Sequence, residues 1–406
     1  MGDEGSEAVQ AYLPMGRLAA RSGLLQARAI GVGTLLVASL YLALIHARLV
    51  LNEHNPAVFA PIGTTFVDPA ALPTGYVVVD GNGVDGQFYL RLALDPFTDR
   101  LTEYGIRIDN PPYRQQRILY PTLAWVLAFG HPDVVPSVLV AINFLGLCAL
   151  AIIGGLLALH FGRHPAWGLF LPLYPGFVVS LVRDLTEIVA TCCLGAALLV
   201  LLRPRRRLWL VSLLLCCAAL SRETTLLVPA GLLAASVPVI ARRLGVPTLP
   251  WYVGGAPLLV FSVWQAVMWG HWGTPGLLAG GDNFARPLDG IVHFMTDTPL
   301  LVYPPAAWMR VFELASGTLM ALFVLAGLRQ TRVNRCLQVA WVGYGVLGLL
   351  LSYAVWQYEW HVWRALVEWH LLGLVILLGT PWRLATLPLL ALLPLWVWNA
   401  MLGAAT

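Results

Sequence analysis

Lysine is missing altogether, and all 25 basic residues are arginine. Charge of either sign is scarce, at 11% of 406 residues. The arginines are spread through loops instead of forming one stripe, so the formal net charge of +4 gives no footing for a nucleic-acid surface. Neither a P-loop nor G-x-S-x-G occurs, which argues against a soluble nucleotide-sugar domain. The six cysteines (Cys148, Cys192, Cys193, Cys216, Cys217 and Cys336) have no C-x-x-C spacing, and five fall in apolar runs where cysteine serves as small filler. D-x-D is absent too, which weighs mildly against a bound divalent cation and leaves metal dependence open; no other cofactor is implied. His271 and His293 are too isolated to suggest zinc.

What is present is apolar residue, at 58% of the chain with a mean hydropathy of +0.74. That share marks a polytopic membrane protein whose partner is the lipid bilayer, and the expected fold is all-α: a transmembrane helical bundle. About 20 apolar residues cross the hydrocarbon core, and arginine-rich loops stay cytoplasmic. These rules give a cytoplasmic tail over 1–28 and a first span over 29–45, with no A-x-A site after it. Further spans fall near 137–159, 167–182, 186–202, 208–220, 225–241, 250–269, 308–328, 338–358, 366–379 and 384–402. The total is about eleven crossings, provided that Ile118 to Gly130 is re-entrant or interfacial. A membrane module then covers 29–310, with outer loops 51–117 and 270–307, and helices over 311–406 follow.

Charge collects in the outer pieces. The interval Asp80 to Pro121 holds Asp80, Asp85, Asp95, Asp99, Glu103, Asp109 and five arginines. DGQFYLRLALDP begins at Asp85, and helical spacing gathers Gln87, Arg91 and Asp95 into one polar stripe, as in a helix on the membrane surface that also presents Tyr89. Asp85 stands where an N-cap is favoured, and equally where a boundary carboxylate could act as general base; Asp80 is the second candidate. Arg114 and Arg117 are either interfacial anchors or a phosphate grip. In the turn Arg183 to Glu187, Asp184 reads as a cap and Arg183 with Glu187 as an i,i+4 pair. The turn Ser221 to Thr225 carries Arg222 and Glu223 directly before an apolar helix, with Ser221 as a cap. Asp282 with Arg286 reads as an ion pair in a Gly/Pro-rich cover. Trp360 and its neighbours around Arg364 form either an interfacial aromatic belt or a lipid-phosphate site.

These motifs resemble the membrane-embedded glycosyltransferases of the GT-C type, especially bacterial relatives of the GPI mannosyltransferase II family. The resemblance rests on D-G-Q-F-Y at Asp85 and R-I-L-Y-P at Arg117. It continues through L-P-L-Y-P at Leu171, D-L-T-E at Asp184, L-S-R-E-T at Leu220, and H-W-G-T-P at His271 followed by Arg286. It covers 70–310 loosely, and Gly83–Val84 precedes Asp85 where such enzymes carry W-D or H-W-D. It implies a polyprenyl-phosphate-linked sugar as donor, an extracytoplasmic glycan or lipid acceptor, inversion at the anomeric centre and an aspartate base, which Asp85 matches. Arg222, Arg364, Arg117 and Arg114 would hold the donor phosphate, with Glu187, Glu223, Tyr89, Asp282 and Trp360 in the pocket. The expected site is the cell membrane, N-terminus inside. A transporter or flippase of lipid-linked sugar is the alternative.

Overall fold

The computed structural model describes residues 4–203, 207–296, 304–357 and 359–405, without the side chains of 4–22, 304–307, 359–361 and 405. The chain is mostly helical. Helix α1 (Glu4–Leu51) leads into a long polar segment holding α2 (Gly86–Leu94), α3 (Pro111–Gln115) and α4 (Leu119–Leu127). The bundle follows with α5 (Val135–His160), α6 (Pro175–Val182), α7 (Glu187–Leu202), α8 (Leu208–Ser221), α9 (Leu227–Ala234), α10 (Pro238–Leu244) and α11 (Tyr252–Trp272). A second polar segment carries α12 (Gly276–Ala279) and α13 (Asp289–Thr296). The chain closes with α14 (Pro304–Gly327), α15 (Arg335–Leu349), α16 (Tyr353–Trp356), α17 (Glu359–Ala365), α18 (Val367–Gly379) and α19 (Leu392–Ala405). Two short strand pairs, Ile62–Gly63 with Val78–Val79 and Thr102–Glu103 with Ile106–Arg107, brace the first polar segment.

This is a membrane protein, but its spans are less uniform than hydropathy alone suggests. Among the described residues five helical segments are long and apolar enough to cross a membrane: Gly23–Leu51 in α1, Pro132–His160 ending in α5, Tyr252–Trp272 as α11, Trp308–Gly327 in α14 and Leu387–Ala404, which runs into α19. Three apolar helices are shorter (α7, α8 and α18), and residues 223–244 form a pair bent by 102°. The expected span 167–182 is not one helix. Pro172 and Pro175 lack the amide hydrogens a continuous helix needs, so a short turn over Pro165–Phe170 is followed by the eight residues of α6. The expected span 225–241 breaks before Pro238 for the same reason, and α15 stops at Leu349. The broken 165–182 segment still packs tightly, because a Cβ on Gly168 would lie 2.1 Å from the Gly154 backbone; two glycines let it lie directly on α5.

Helix α2 also departs from expectation. It is not an amphipathic surface helix: Gly86 through Leu94 are all buried. The polar side chains turn inward and tie the segment together. Gln87 accepts from the Gly63 amide (2.9 Å) and donates to the Asn82 carbonyl (2.7 Å), while Arg91 pairs with Glu103 and Thr98. Helix α4 is half exposed through Leu123, Trp125, Val126 and Leu127, and Phe129 beyond it continues that apolar face.

Candidate functional site

The polar segments and the bundle meet at one cavity of about 530 Å³. Its charged wall is assembled from positions far apart in sequence: Asp85, Arg114, Arg117, Glu187, Arg222, Glu223 and Arg364. Much of the remaining lining is apolar, with Leu226, Leu227, Ala230, Leu258, Leu347 and Leu351 from α9, α11, α15 and their flanks.

Local backbone packing places Asp85. Gly86 lies so close to the turn after α6 that a Cβ would come within 2.0 Å of the Arg183 carbonyl oxygen. Only glycine allows that approach, and it sets the residue before it beside Glu187. Asp85 occupies the N-cap position of α2 with helical backbone angles, yet its side chain does not cap. Its carboxylate faces two guanidiniums instead: Oδ2 is 2.6 Å from Arg364 Nη2, and Oδ1 is 3.1 Å from Arg114 Nη2.

The remaining arginines are tethered to different degrees. Arg114 forms a fork with Asp109 through Nε and Nη2 (2.9 and 2.7 Å). Arg117 does the same with Glu223 (2.8 and 2.6 Å) and also donates to Tyr89 and Tyr113 hydroxyls, each at 2.9 Å. Arg222 sits between two carboxylates, with Nη1 2.7 Å from Glu187 Oε1 without hydrogen-bond alignment and Nε 3.1 Å from Glu368 Oε1. Thr224 links them, accepting from Arg222 Nε at 2.9 Å and donating to Glu368 at 2.7 Å. Among the described residues Arg364 reaches beyond Asp85 only as far as Glu187, at 3.7 Å.

These cations stay charged despite their enclosure. Burial works against the charge on Arg364 and Arg114, but Asp85, helped by Glu187 at the first and Asp109 at the second, outweighs it and raises both above the usual guanidinium range. Burial of Arg117 is likewise outweighed, by Glu223 and the two tyrosines. The cavity is therefore an alternating array of fixed charges with apolar residues in the same lining, suited to a ligand that joins an anion to a greasy tail.

The other sequence candidates fall elsewhere. Asp80 is exposed and does not line the cavity. Asp282 is exposed as well; its backbone carbonyl accepts from the Ser352 hydroxyl, and among the described residues no ion pair joins it to Arg286. Tyr89 is buried behind the wall, holding Arg117, and the side chain of Trp360 lies outside the described residues. Glu187 is not spent on Arg183, because the turn directs it toward Arg222 and Arg364. Asp184 caps nothing: it is enclosed, has φ of +46°, and lies beside Asn143 and Tyr120 without aligned hydrogen bonds. Burial pushes its carboxyl well above the usual range. Ser221 ends α8 and donates back to the Cys217 carbonyl.

Sequence reasoning placed Glu368 only in the aromatic cluster around Arg364 and Asp109 only in the charged interval from Asp80 to Pro121, and gave neither a role in the site. Glu368 is 1% exposed at the start of the apolar α18, and a carboxylate opening an apolar run was the available signal. Asp109 has no such mark. The stretch Gly81–Gly86 reads G-x-G-x-x-G between a short strand and α2, but Val78–Val79 is an exposed two-residue strand, not part of a parallel strand–helix–strand unit. Among the described residues no group of three or more His, Cys, Asp or Glu converges as a metal site would. Comparison with family models, curated proteins and solved structures finds no match.

Proposed function

We propose that this protein is a membrane glycosyltransferase that moves a sugar from a polyprenyl-phosphate donor to an extracytoplasmic hydroxyl, with inversion. The observation behind this reading is the Asp85 carboxylate held between Arg364 and Arg114 in a cavity whose lining joins a cluster of charged side chains to apolar ones. A lipid phosphate sugar has matching parts: anionic phosphate, polar sugar and hydrocarbon tail.

The chemistry needs one base and an anion grip. Asp85 takes the proton of the acceptor hydroxyl as its oxygen attacks the anomeric carbon on the face opposite the phosphate. The bond from that carbon to the phosphate oxygen breaks, and its electron pair leaves with the lipid phosphate. The guanidiniums stabilise the charge gained there, so no acid is required at the leaving group. Arg364 is the first candidate for the phosphate because, among the described residues, it has the fewest tethers; Arg222 and Arg117 extend the positive wall. In the resting site Asp85 occupies the anion position, and phosphate arrival on Arg364 frees the carboxylate for the acceptor.

The topology that goes with this reading puts the N-terminus and arginine-only loops in the cytoplasm of a cell-membrane protein, the cavity outside, and about eleven crossings in total. Incubating purified protein with a panel of polyprenyl-phosphate sugars and acceptor glycolipids, then weighing the products, tests it. A product heavier by one sugar is expected; hydrolysis alone, or no reaction across the panel, counts against it. The bend of 102° between α9 and α10 favours a second reading, transport of a lipid-linked sugar, since broken helices recur in carriers. Movement of labelled lipid across vesicles without transfer would select that alternative.

A further inference from the structure

A second cavity, of about 830 Å³, lies at the other end of the bundle. Helix α7 relates the two: Glu187 at its start lines the first and Leu202 at its end lines the second, about 22 Å away at 1.5 Å per residue. Arg329, Arg332 and Arg335, spaced three apart, stand on its wall with Asn334, Gln338 and His160.

The connection that carries these arginines is pinned. The Thr331 hydroxyl donates to the Ile376 carbonyl (3.0 Å), the Arg332 amide to the Gly379 carbonyl (3.1 Å), and the Gln338 side chain to the Val333 carbonyl (2.8 Å). Gln330 accepts from the Trp382 indole at 2.6 Å. The backbone is thus held in place while the three guanidiniums stay exposed and, among the described residues, form no ion pair. The stretches that supply most of this wall hold no carboxylate: the chain has no Asp or Glu between Glu187 and Glu223, between Glu223 and Asp282, or between Glu313 and Glu359. Arg335 also opens α15, a helix of 15 residues whose amide end adds positive potential. In the first cavity every arginine is countered by a carboxylate; here, among the described residues, none is.

We propose that this second cavity binds a phosphate-bearing anion, either the headgroup of an anionic phospholipid or a soluble diphosphate, through Arg329, Arg332 and Arg335. Three guanidiniums carried on a pinned backbone around a polar hollow match phosphate oxygens, and among the described residues no carboxylate pairs with them. The inference stands apart from glycosyl transfer, because it uses neither Asp85 nor the first cavity.

The test uses the full chain, purified and delipidated in a mild neutral detergent. It is titrated separately with phosphatidylglycerol, phosphatidylcholine and inorganic pyrophosphate, and bound copies are counted by native mass spectrometry. One saturable copy of phosphatidylglycerol, preferred at least about tenfold over phosphatidylcholine, is the expected result if the source is lipid; saturable pyrophosphate with no such preference identifies a soluble anion. The triple variant R329Q/R332Q/R335Q should lose at least about tenfold in binding, R329K/R332K/R335K should retain most of it, and R242Q/R243Q at the same end should match the parent. Absence of anion selectivity in the parent protein overturns the proposal. So does undiminished binding in the glutamine triple variant. If that variant does not purify as a single species, the R329Q/R332Q pair is read in its place by the same criterion.

Discussion

Replacing Asp85 by Asn separates a base from a mere anchor. The substitution keeps shape and removes one negative charge from a carboxylate whose side chain is 28% exposed. The fold should tolerate it: Arg114 keeps its fork to Asp109, and Arg364 keeps Glu187 at 3.7 Å. A charge-assisted hydrogen bond contributes ~1.5–3 kcal/mol when well shielded, and partial exposure brings this pair down to about 1 kcal/mol. Two consequences follow for the reaction. Loss of the base should lower kcat by about 10²–10⁴-fold. Removing the anion that competes for Arg364 should leave donor KM unchanged or lower it by a few fold, since about 1 kcal/mol is roughly a factor of five. The assay is steady-state transfer from the polyprenyl-phosphate sugar found in the panel, with kcat and KM resolved separately. A kcat within about tenfold of the parent refutes the base assignment, and a large rise in KM with kcat preserved makes Asp85 a binding group. Asp80→Asn, at an exposed position outside the cavity, should match the parent in both constants.

Three further outcomes follow from the same geometry. Arg222→Met takes the cation from Glu368 and leaves Glu187 only the more distant Arg364 among the described residues, both carboxylates being nearly inaccessible, and should cost about 3–5 kcal/mol; thermal denaturation should show a large loss, partly restored by adding Glu368→Gln, and an unchanged Tm would contradict the triad. Gly86→Ala drives a Cβ against the Arg183 carbonyl and should destabilise by ~1–3 kcal/mol while displacing Asp85; wild-type stability together with wild-type transfer would show that the two segments do not need this contact. Asp184 has a folded pKa raised by burial, so the folded state binds more protons than the unfolded state, and stability falls as pH rises from about 4 through the raised pKa. Asp184→Asn, which suits the left-handed backbone there, should be more stable than the parent at pH 8 and converge with it near pH 4; a variant no more stable at pH 8 would show that the buried carboxyl carries no such penalty.

The sequence by itself determined that the chain belongs in a membrane and is helical, because hydrocarbon admits long apolar runs only as structures that satisfy their own backbone. It also drew attention to Asp85, Arg222 and Glu223, since charge beside an apolar run is costly and therefore conspicuous. It misjudged α2, whose polar stripe satisfies equally well a helix lying on lipid and one buried against a loop that supplies the partners; helical spacing is the same in both. Broken spans such as 165–182 stayed hidden because hydropathy averages over the prolines that interrupt a helix. Which carboxylate meets which guanidinium was decided only in three dimensions. Glu187 leaves its near neighbour Arg183 for Arg222 and Arg364, and Asp85 meets Arg364 across 279 residues. Charge pairs are chosen by distance in a low-dielectric interior, and that distance is set by close backbone packing such as Gly86 against Arg183, which no linear pattern records.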